Sequence, residues 1–227
     1  DKANKADKAL LPAGMSDGLP PEAAFEAAIA EQLMSEFGSH GYERVKPPLL
    51  EFEQNLLRGP GAAMAEQTFR LMDPVSQRMM GLRADMTPQV ARIATTRLRN
   101  APRPLRLSYS GQILRIKGTQ LRADRQFGQA GAELIGSDNP LADAEIILLA
   151  TSAMTKQGID NMSVDLCLPT LAPALCHDMN LSDESIQSLR DVLDRKDAAD
   201  IAGMADLIGK DNAALFAELL SATGPAE

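Results

Sequence analysis

The stretch LRIKGTQLRADRQFGQAGAE, residues 114–133, carries Arg115, Lys117, Arg122 and Arg125 among and ahead of Phe127, Gln129 and Glu133. If residues 125–136 form a strand, period two sets Arg125, Phe127, Gln129, Gly131, Glu133 and Ile135 on one face. Gln126, Gly128, Ala130, Ala132 and Leu134 then make a second face, small and mostly apolar, suited to close packing under a helix. On the first face polar groups recur along a strand expected to be central in its sheet, where an unpaired buried charge is expensive. Those groups need partners. The preceding strand, within PLRLSYSGQILRIKG (104–118), adds Ile113, Arg115 and Lys117 to a face by the same alternation. Arg115 is therefore expected beside Gln129 or Glu133 across the hairpin. Spacing alone leaves two readings open: a solvated face with Arg115 paired to Glu133, or a face that holds a ligand.

Outward from this hairpin, Phe25, Ile29, Leu33 and Phe37 fall on one side of a helix that follows Pro20-Pro21 and stops between Gly38 and Gly41. YERVKPPLLEFE (42–53) is extended but interrupted by Pro47-Pro48, and proline cannot donate to a central ladder, so this segment belongs at a sheet edge or a subunit boundary. TFRLMDPVSQRMMGLRAD (68–85) has two apolar runs around Asp73-Pro74-Val75-Ser76, the pattern of a β-hairpin. TPQVARIATTRLR (87–99) predicts a helix with Thr87 as N-cap and Pro88 at its first position. NPLADAEIILLATSAMTKQG (139–158) predicts a long helix started by Pro140 and stopped by Gly158. From 170 to 222 short alanine- and leucine-rich helical stretches are separated by NLSDES and GKDNA.

The fold class expected is α+β, an antiparallel sheet flanked by helices with a smaller helical subdomain. The boundaries expected are a flexible tail over 1–10, a main domain over 11–160 and the helical subdomain over 161–227.

Composition excludes several functions. The chain has 227 residues, 44% apolar and 24% charged, and no apolar run of the roughly 18 residues that a membrane-spanning helix requires. The polar start DKANKADKALLPAG lacks a signal-peptide core, and Cys167 and Cys176 have no CxxC spacing, so reduced thiols in the cytoplasm are expected, both most simply as small buried residues. His40 and His177 are the only histidines, and neither a metal nor a cofactor is expected. With 31 acidic against 23 basic residues the net charge is −8, a field that repels a polyanion such as tRNA. Neither GxxxxGK[ST] nor GxGxxG occurs.

PAGMSDGLPPEA, YERVKPPLLE, LRADMTPQVAR, LRIKGTQLRADRQFGQAGAELIG and ADAEII, in that order and spacing, resemble the class II aminoacyl-tRNA synthetase fold, and within it histidyl-tRNA synthetase, over about residues 11–150. YERVKPPLLE resembles motif 1, which implies a homodimer formed around Pro47 and Pro48. The segment from Leu114 resembles motif 2, whose arginine and glutamate hold ATP in the synthetases. Here Lys117 stands in place of that glutamate, and the later glycine-arginine falls on Arg122 and Ala123, so the phosphate-binding arginine is missing. Phe127 sits where the family stacks adenine. Positioned donors of this kind stabilise the charge that develops in adenylation, so their loss implies a degenerate ATP site and no catalytic residue.

By contrast, the resemblance implies that the pocket for free histidine is kept, with Thr87, Arg115, Gln129 and Glu133 matching and Asp85 standing where the family has glutamate. Such a combination resembles the regulatory subunits of ATP phosphoribosyltransferase, which sense histidine and partner a short catalytic subunit. VDLCLPTLAPAL and LRDVLDRKDAADI resemble the segment that follows in that family. The loop that closes over histidine, and motif 3, would lie beyond residue 227, so a fragment or a shortened member is expected. The alternative is a histidyl-tRNA synthetase that charges tRNA; a weaker one is a paralogue that adenylates another substrate.

Overall fold

In the computed structural model, residues 11–119, 123–168, 170–177, 179, 181–222 and 224 are described. The expected tail over 1–10 and Arg122 lie outside them. The chain divides into two compact units, one running to Ser163 and one from Val164 onward.

Among the described residues the first unit holds two three-stranded sheets. One has the order β1 (Glu43–Arg44), β5 (Leu105–Leu114), β6 (Gln126–Ile135), with β1 parallel to β5 and β6 antiparallel to it. The other has the order β2 (Leu50–Phe52), β4 (Met79–Leu82), β3 (Arg70–Met72), all antiparallel. Between β2 and β3 run a short helix, α2 (Glu53–Leu56), and a 3-10 segment over Gly59–Gln67. The β3–β4 turn is tied by Asp73, whose carboxylate accepts from the Val75 and Ser76 amides and the Ser76 hydroxyl. This is the local hydrogen bonding for which aspartate suits a turn.

Three helices of this unit flank the β5–β6 hairpin: α1 (Glu22–Ser39), α3 (Thr87–Thr95) and α4 (Pro140–Lys156). The two faces expected from alternation take different helices. Leu105, Leu107, Tyr109 and Ile113 pack with Met86, Val90 and Ala94 of the α3 segment, and Phe127 and Ile135 border that cluster. Ala132 and Leu134, from the small face, border the cluster of Met34 and Phe37 from α1 with Leu149 and Ala153 from α4. Asn139 caps α4 by accepting from the Leu141 amide, with Pro140 at its first position. Lys156, Ser152 and His40 converge on the buried Glu36 carboxylate, which joins the ends of α1 and α4.

The structure corrects several expectations. Phe25 is 68% exposed, because only the C-terminal half of α1, through Met34 and Phe37, lies in the core. Strand β6 is at the edge of its sheet among the described residues, since β5 takes the central place. Strand β5 ends at Leu114, and Thr87 is the first residue of α3 and not its N-cap; Asp85 accepts the Thr87 amide instead. Pro47 and Pro48 separate β1 from β2, each an edge strand of a different sheet, and Pro47 is buried while Pro48 is exposed. Cys176 is buried but Cys167 is exposed, in a stretch that belongs to no helix or strand; both are free thiols.

Among the described residues the second unit consists of α5 (Leu171–His177), α6 (Asp183–Asp194), α7 (Ala198–Gly203), α8 (Ala205–Ile208) and α9 (Lys210–Ser221). Ser182 and Asp197 cap α6 and α7 with their side-chain oxygens. Leu189, Val192, Ile201, Ile208 and Phe216 form its own core with Cys176. No helix among the described residues is long and apolar enough to cross a membrane.

In the first unit Arg106 grips both oxygens of Glu145 at 2.7 Å, and the Tyr42 hydroxyl adds a bond of 2.9 Å. The guanidinium, then the hydroxyl, hold the Glu145 carboxyl down at about 2 against an ordinary 4.5. A depressed carboxyl stabilises the fold fully above its ordinary value and loses that contribution as pH falls towards its folded value. Both side chains are about a third exposed, 35% and 31%, so solvent screening reduces the effect. Glu145→Gln is expected to cost about 1 kcal/mol at neutral pH. In urea titrations at a series of pH values, the variant should also lose part of the wild-type decline in stability between pH 4.5 and 2.

Candidate functional site

The site follows from the register of β5 and β6. Leu105 pairs with Ile135 and Leu114 with Gln126, which places Gly111 opposite Gln129, Tyr109 opposite Gly131 and Leu107 opposite Glu133. Arg115 lies just past the paired strands, its amide donating to the Arg125 carbonyl at 2.7 Å. The expected pairing of Arg115 with Gln129 or Glu133 is therefore wrong. Alternation decides a face but not a register, and the turn between the strands is long enough to slide Arg115 to the hairpin's far end.

What approaches Gln129 and Glu133 instead is the start of α3. The Asp85 Oδ1 atom accepts from the Thr87 amide at 2.8 Å and from Gln129 Nε2 at 3.2 Å. Gln129 Oε1 accepts from the Met86 amide at 2.9 Å, so this glutamine is held at both ends of its amide. The Thr87 hydroxyl meets the Tyr109 hydroxyl at 3.0 Å, and Tyr109 donates to Glu133 Oε1 at 3.0 Å. Four of the five residues expected to hold histidine, Asp85, Thr87, Gln129 and Glu133, are thus joined in one polar network. Arg115 reaches its border, where Nε donates to the Ala84 carbonyl at 3.3 Å and the guanidinium carbon lies 5.3 Å from the centre of the Phe127 ring. All five are half-buried, which leaves them accessible to a small molecule.

Tyr109 is a member of this network that the reading of the sequence missed. It is 3% exposed, and burial pushes its phenol well above the ordinary value, with the Glu133 and Asp85 charges adding to the shift and Thr87 opposing it. The signal was the pairing of Tyr109 with Gly131, visible only once the register is known. A Cβ at Gly131 would stand 2.5 Å from the Tyr109 hydroxyl oxygen.

Arg83 was missed as well. It is buried, with Nε donating to the Gln112 carbonyl at 2.8 Å and Nη1 to the Pro47 carbonyl at 3.0 Å, and burial lowers its pKa. Gly111 makes room for it, since a Cβ there would lie 2.5 Å from Nη2. Gln89 holds the next carbonyl, that of Pro48, at 2.8 Å, and also Glu51, which Arg92 grips from the other side. From 83 to 89, every second residue therefore faces either the proline segment (Arg83, Gln89) or the polar network (Asp85, Thr87).

Among residues of the expected ATP site, Lys117 is exposed in a bend after β5 and Ala123 is exposed before β6. Phe127 is half-buried against the core cluster and under Arg115. Among the described residues no cluster of three or more His, Cys, Asp or Glu is placed to hold a metal ion. A cavity of about 800 Å³ lies elsewhere, where Glu26, Ile29 and Leu33 of α1 face Gln112 and Gln126. Of the five residues only Gln129 reaches its wall, and Glu26 there is already bonded to Gln112 at 3.0 Å. The convergent donors and acceptors are in the network, and recognition of a small polar molecule depends on such groups.

The family model described as histidyl-tRNA synthetase matches residues 14–227. The chain is 58% identical over 218 residues to an ATP phosphoribosyltransferase regulatory subunit from Rhodospirillum centenum, covering 96% of this chain and 55% of that protein. It is 54% identical over 225 residues to one from Rhodospirillum rubrum, covering 99% and 58%. A solved structure from Bacillus halodurans, of an ATP phosphoribosyltransferase regulatory subunit/histidyl-tRNA synthetase, superposes with a TM-score of 0.79 at 26% identity, covering 94% of this chain and 55% of that one. The chain spans little more than half the length of these relatives.

Gly131→Ala should force the Tyr109 ring aside and destabilise the protein by roughly 1–3 kcal/mol, the usual cost of overpacking. Gly38→Ala, in α1 with nothing within 4 Å of the added carbon, should instead stabilise by about 0.5–1 kcal/mol. Urea unfolding of the two variants beside the wild type distinguishes a specific clash from a general cost of losing glycine.

Proposed function

The chain belongs to the histidyl-tRNA synthetase family, and from that membership we propose that it is part of a regulatory subunit of ATP phosphoribosyltransferase: a non-catalytic cytoplasmic protein that binds free histidine and transmits its presence to a short catalytic subunit. The observation that carries this reading is the contrast between the two halves of the site. Asp85, Thr87, Gln129 and Glu133 are assembled into one network, whereas the positions for ATP hold an exposed lysine, Lys117, and an exposed alanine, Ala123. The names of the relatives above support the same choice over a tRNA-charging enzyme.

Histidine fits the network by charge and by hydrogen bonding. The Asp85 and Glu133 carboxylates suit its ammonium group and a ring N–H, Thr87 and Gln129 add neutral bonds, and the Arg115 fork suits its carboxylate. Regulation requires that histidine prefer one state of the complex with the catalytic subunit. The usual coupling between two sites is about 1–3 kcal/mol, roughly 5-fold to 150-fold in affinity.

The subunit also pairs with a second copy through the segment around Pro47 and Pro48. Two edge strands border that segment, and two-fold pairing is the commonest symmetry of soluble oligomers. Light scattering on the full-length protein at tens of micromolar should therefore give a dimer, and a monomer would contradict this part of the reading.

Calorimetric titration should detect histidine binding, and Glu133→Gln, nearly isosteric, should keep the fold while weakening that binding about tenfold or more, the scale of a lost charged hydrogen bond. The same variant should blunt histidine inhibition of the reconstituted phosphoribosyltransferase. The wild type should form no aminoacyl-adenylate; histidine-dependent pyrophosphate exchange above background would favour the synthetase instead.

A further inference from the structure

The two hydroxyl protons at Tyr109 and Thr87 each have an acceptor within the network, and that assignment determines what the site offers a ligand. A phenol has one proton to give. Tyr109 gives it to Glu133 Oε1 at 3.0 Å, so in its 3.0 Å contact with Thr87 the tyrosine accepts and the Thr87 hydroxyl donates. Thr87 then meets an incoming molecule with lone pairs alone. Glu133, with one oxygen engaged by Tyr109, meets it as an acceptor too. Gln129 is fixed the other way: its oxygen is used by the Met86 amide and one amide hydrogen by Asp85, which leaves a donor.

We propose that Tyr109 is a positioning residue that sets the ligand specificity of this site: by taking the Thr87 proton it leaves Thr87 only lone pairs to offer, beside the Glu133 carboxylate, an acceptor in its own right whose Oε1 it holds in place, and so the site selects a ligand that donates at both places. For histidine these donors are the amine and a ring N–H, so the inference rests on the histidine reading above. Tyr109 is too deeply buried to meet the ligand itself, at 3% exposure, and acts through the two residues it joins. A ligand without the amine leaves the Thr87 lone pairs unsatisfied, and a site built to bond a polar group rejects an analogue that lacks it.

The test is calorimetric titration of the full chain with histidine and with 3-(imidazol-4-yl)propionate, which differs by the amine alone. The wild type should prefer histidine by about tenfold or more, as expected when a charged hydrogen bond is lost. In Tyr109→Phe the Thr87 proton is released to face the ligand, and the preference should fall several-fold while cooperative unfolding is retained. In a Thr87→Val background, adding Tyr109→Phe should change the preference little further. Should Tyr109→Phe fail to fold, Thr87→Val alone reads the same feature without touching the tyrosine, and its preference should fall. If the wild type binds histidine but the preference survives Tyr109→Phe, or survives Thr87→Val where the tyrosine variant does not fold, the role of Tyr109 is overturned while the histidine reading stands. If the wild type binds neither compound, the histidine reading fails and this inference fails with it.

Discussion

Ten residues of β5 pair with ten of β6, and the position of every other functional group depends on that alignment. A shift of one residue would exchange the two faces, moving Gln129 and Glu133 under α1 and α4 and turning Ala132 and Leu134 toward α3. The alignment is held from both sides at once. Leu107 and Ile113 are fully buried on one face, and Ala132 and Leu134 are packed on the other. Two glycines adapt the hairpin to its polar load, Gly111 admitting the Arg83 guanidinium and Gly131 admitting the Tyr109 ring. The hairpin is thus at once the core of the unit and the floor of the site.

Polar groups in such a place persist only when they satisfy one another. Asp85, Gln129, Thr87, Tyr109 and Glu133 do so through bonds of 2.8–3.2 Å that link the start of α3 to β5 and β6. Because the network is complete within the protein on its inner side, its outer lone pairs and hydrogens are oriented before a ligand arrives. Preorganisation of this kind reduces what binding must spend on ordering side chains.

The fold was legible in the sequence wherever a short period carries the information. The two faces of β6, the β3–β4 hairpin around Asp73 and the start of α4 at Pro140 all follow from neighbours a few residues apart. Phe25 was misread because a helical stripe shows which side is apolar and not how far the sheet extends beneath it. Arg115 was misplaced because register is a long-range property, set by packing on both faces and not by the strand's own residues. Alternation brought Gln129 and Glu133 to one face as a possible ligand surface, but Asp85 and Thr87, and the link of any of them to histidine, came from the resemblance. Tyr109 and Arg83 escaped because each makes its bonds to groups distant in the chain, Glu133 in one case and the Pro47 carbonyl in the other.

Arg83 and Gln89 grasp Pro47 and Pro48 by their carbonyl oxygens. A carbonyl is common to every amino acid, so this grip reads the path of the chain and is blind to which side chains lie along it. The two halves of the contact are therefore unequally free to drift over generations. Positions 47 and 48 can exchange residues whenever the newcomers keep the same backbone course, whereas Arg83 has no substitute that reaches two carbonyls with a fixed fork of donors.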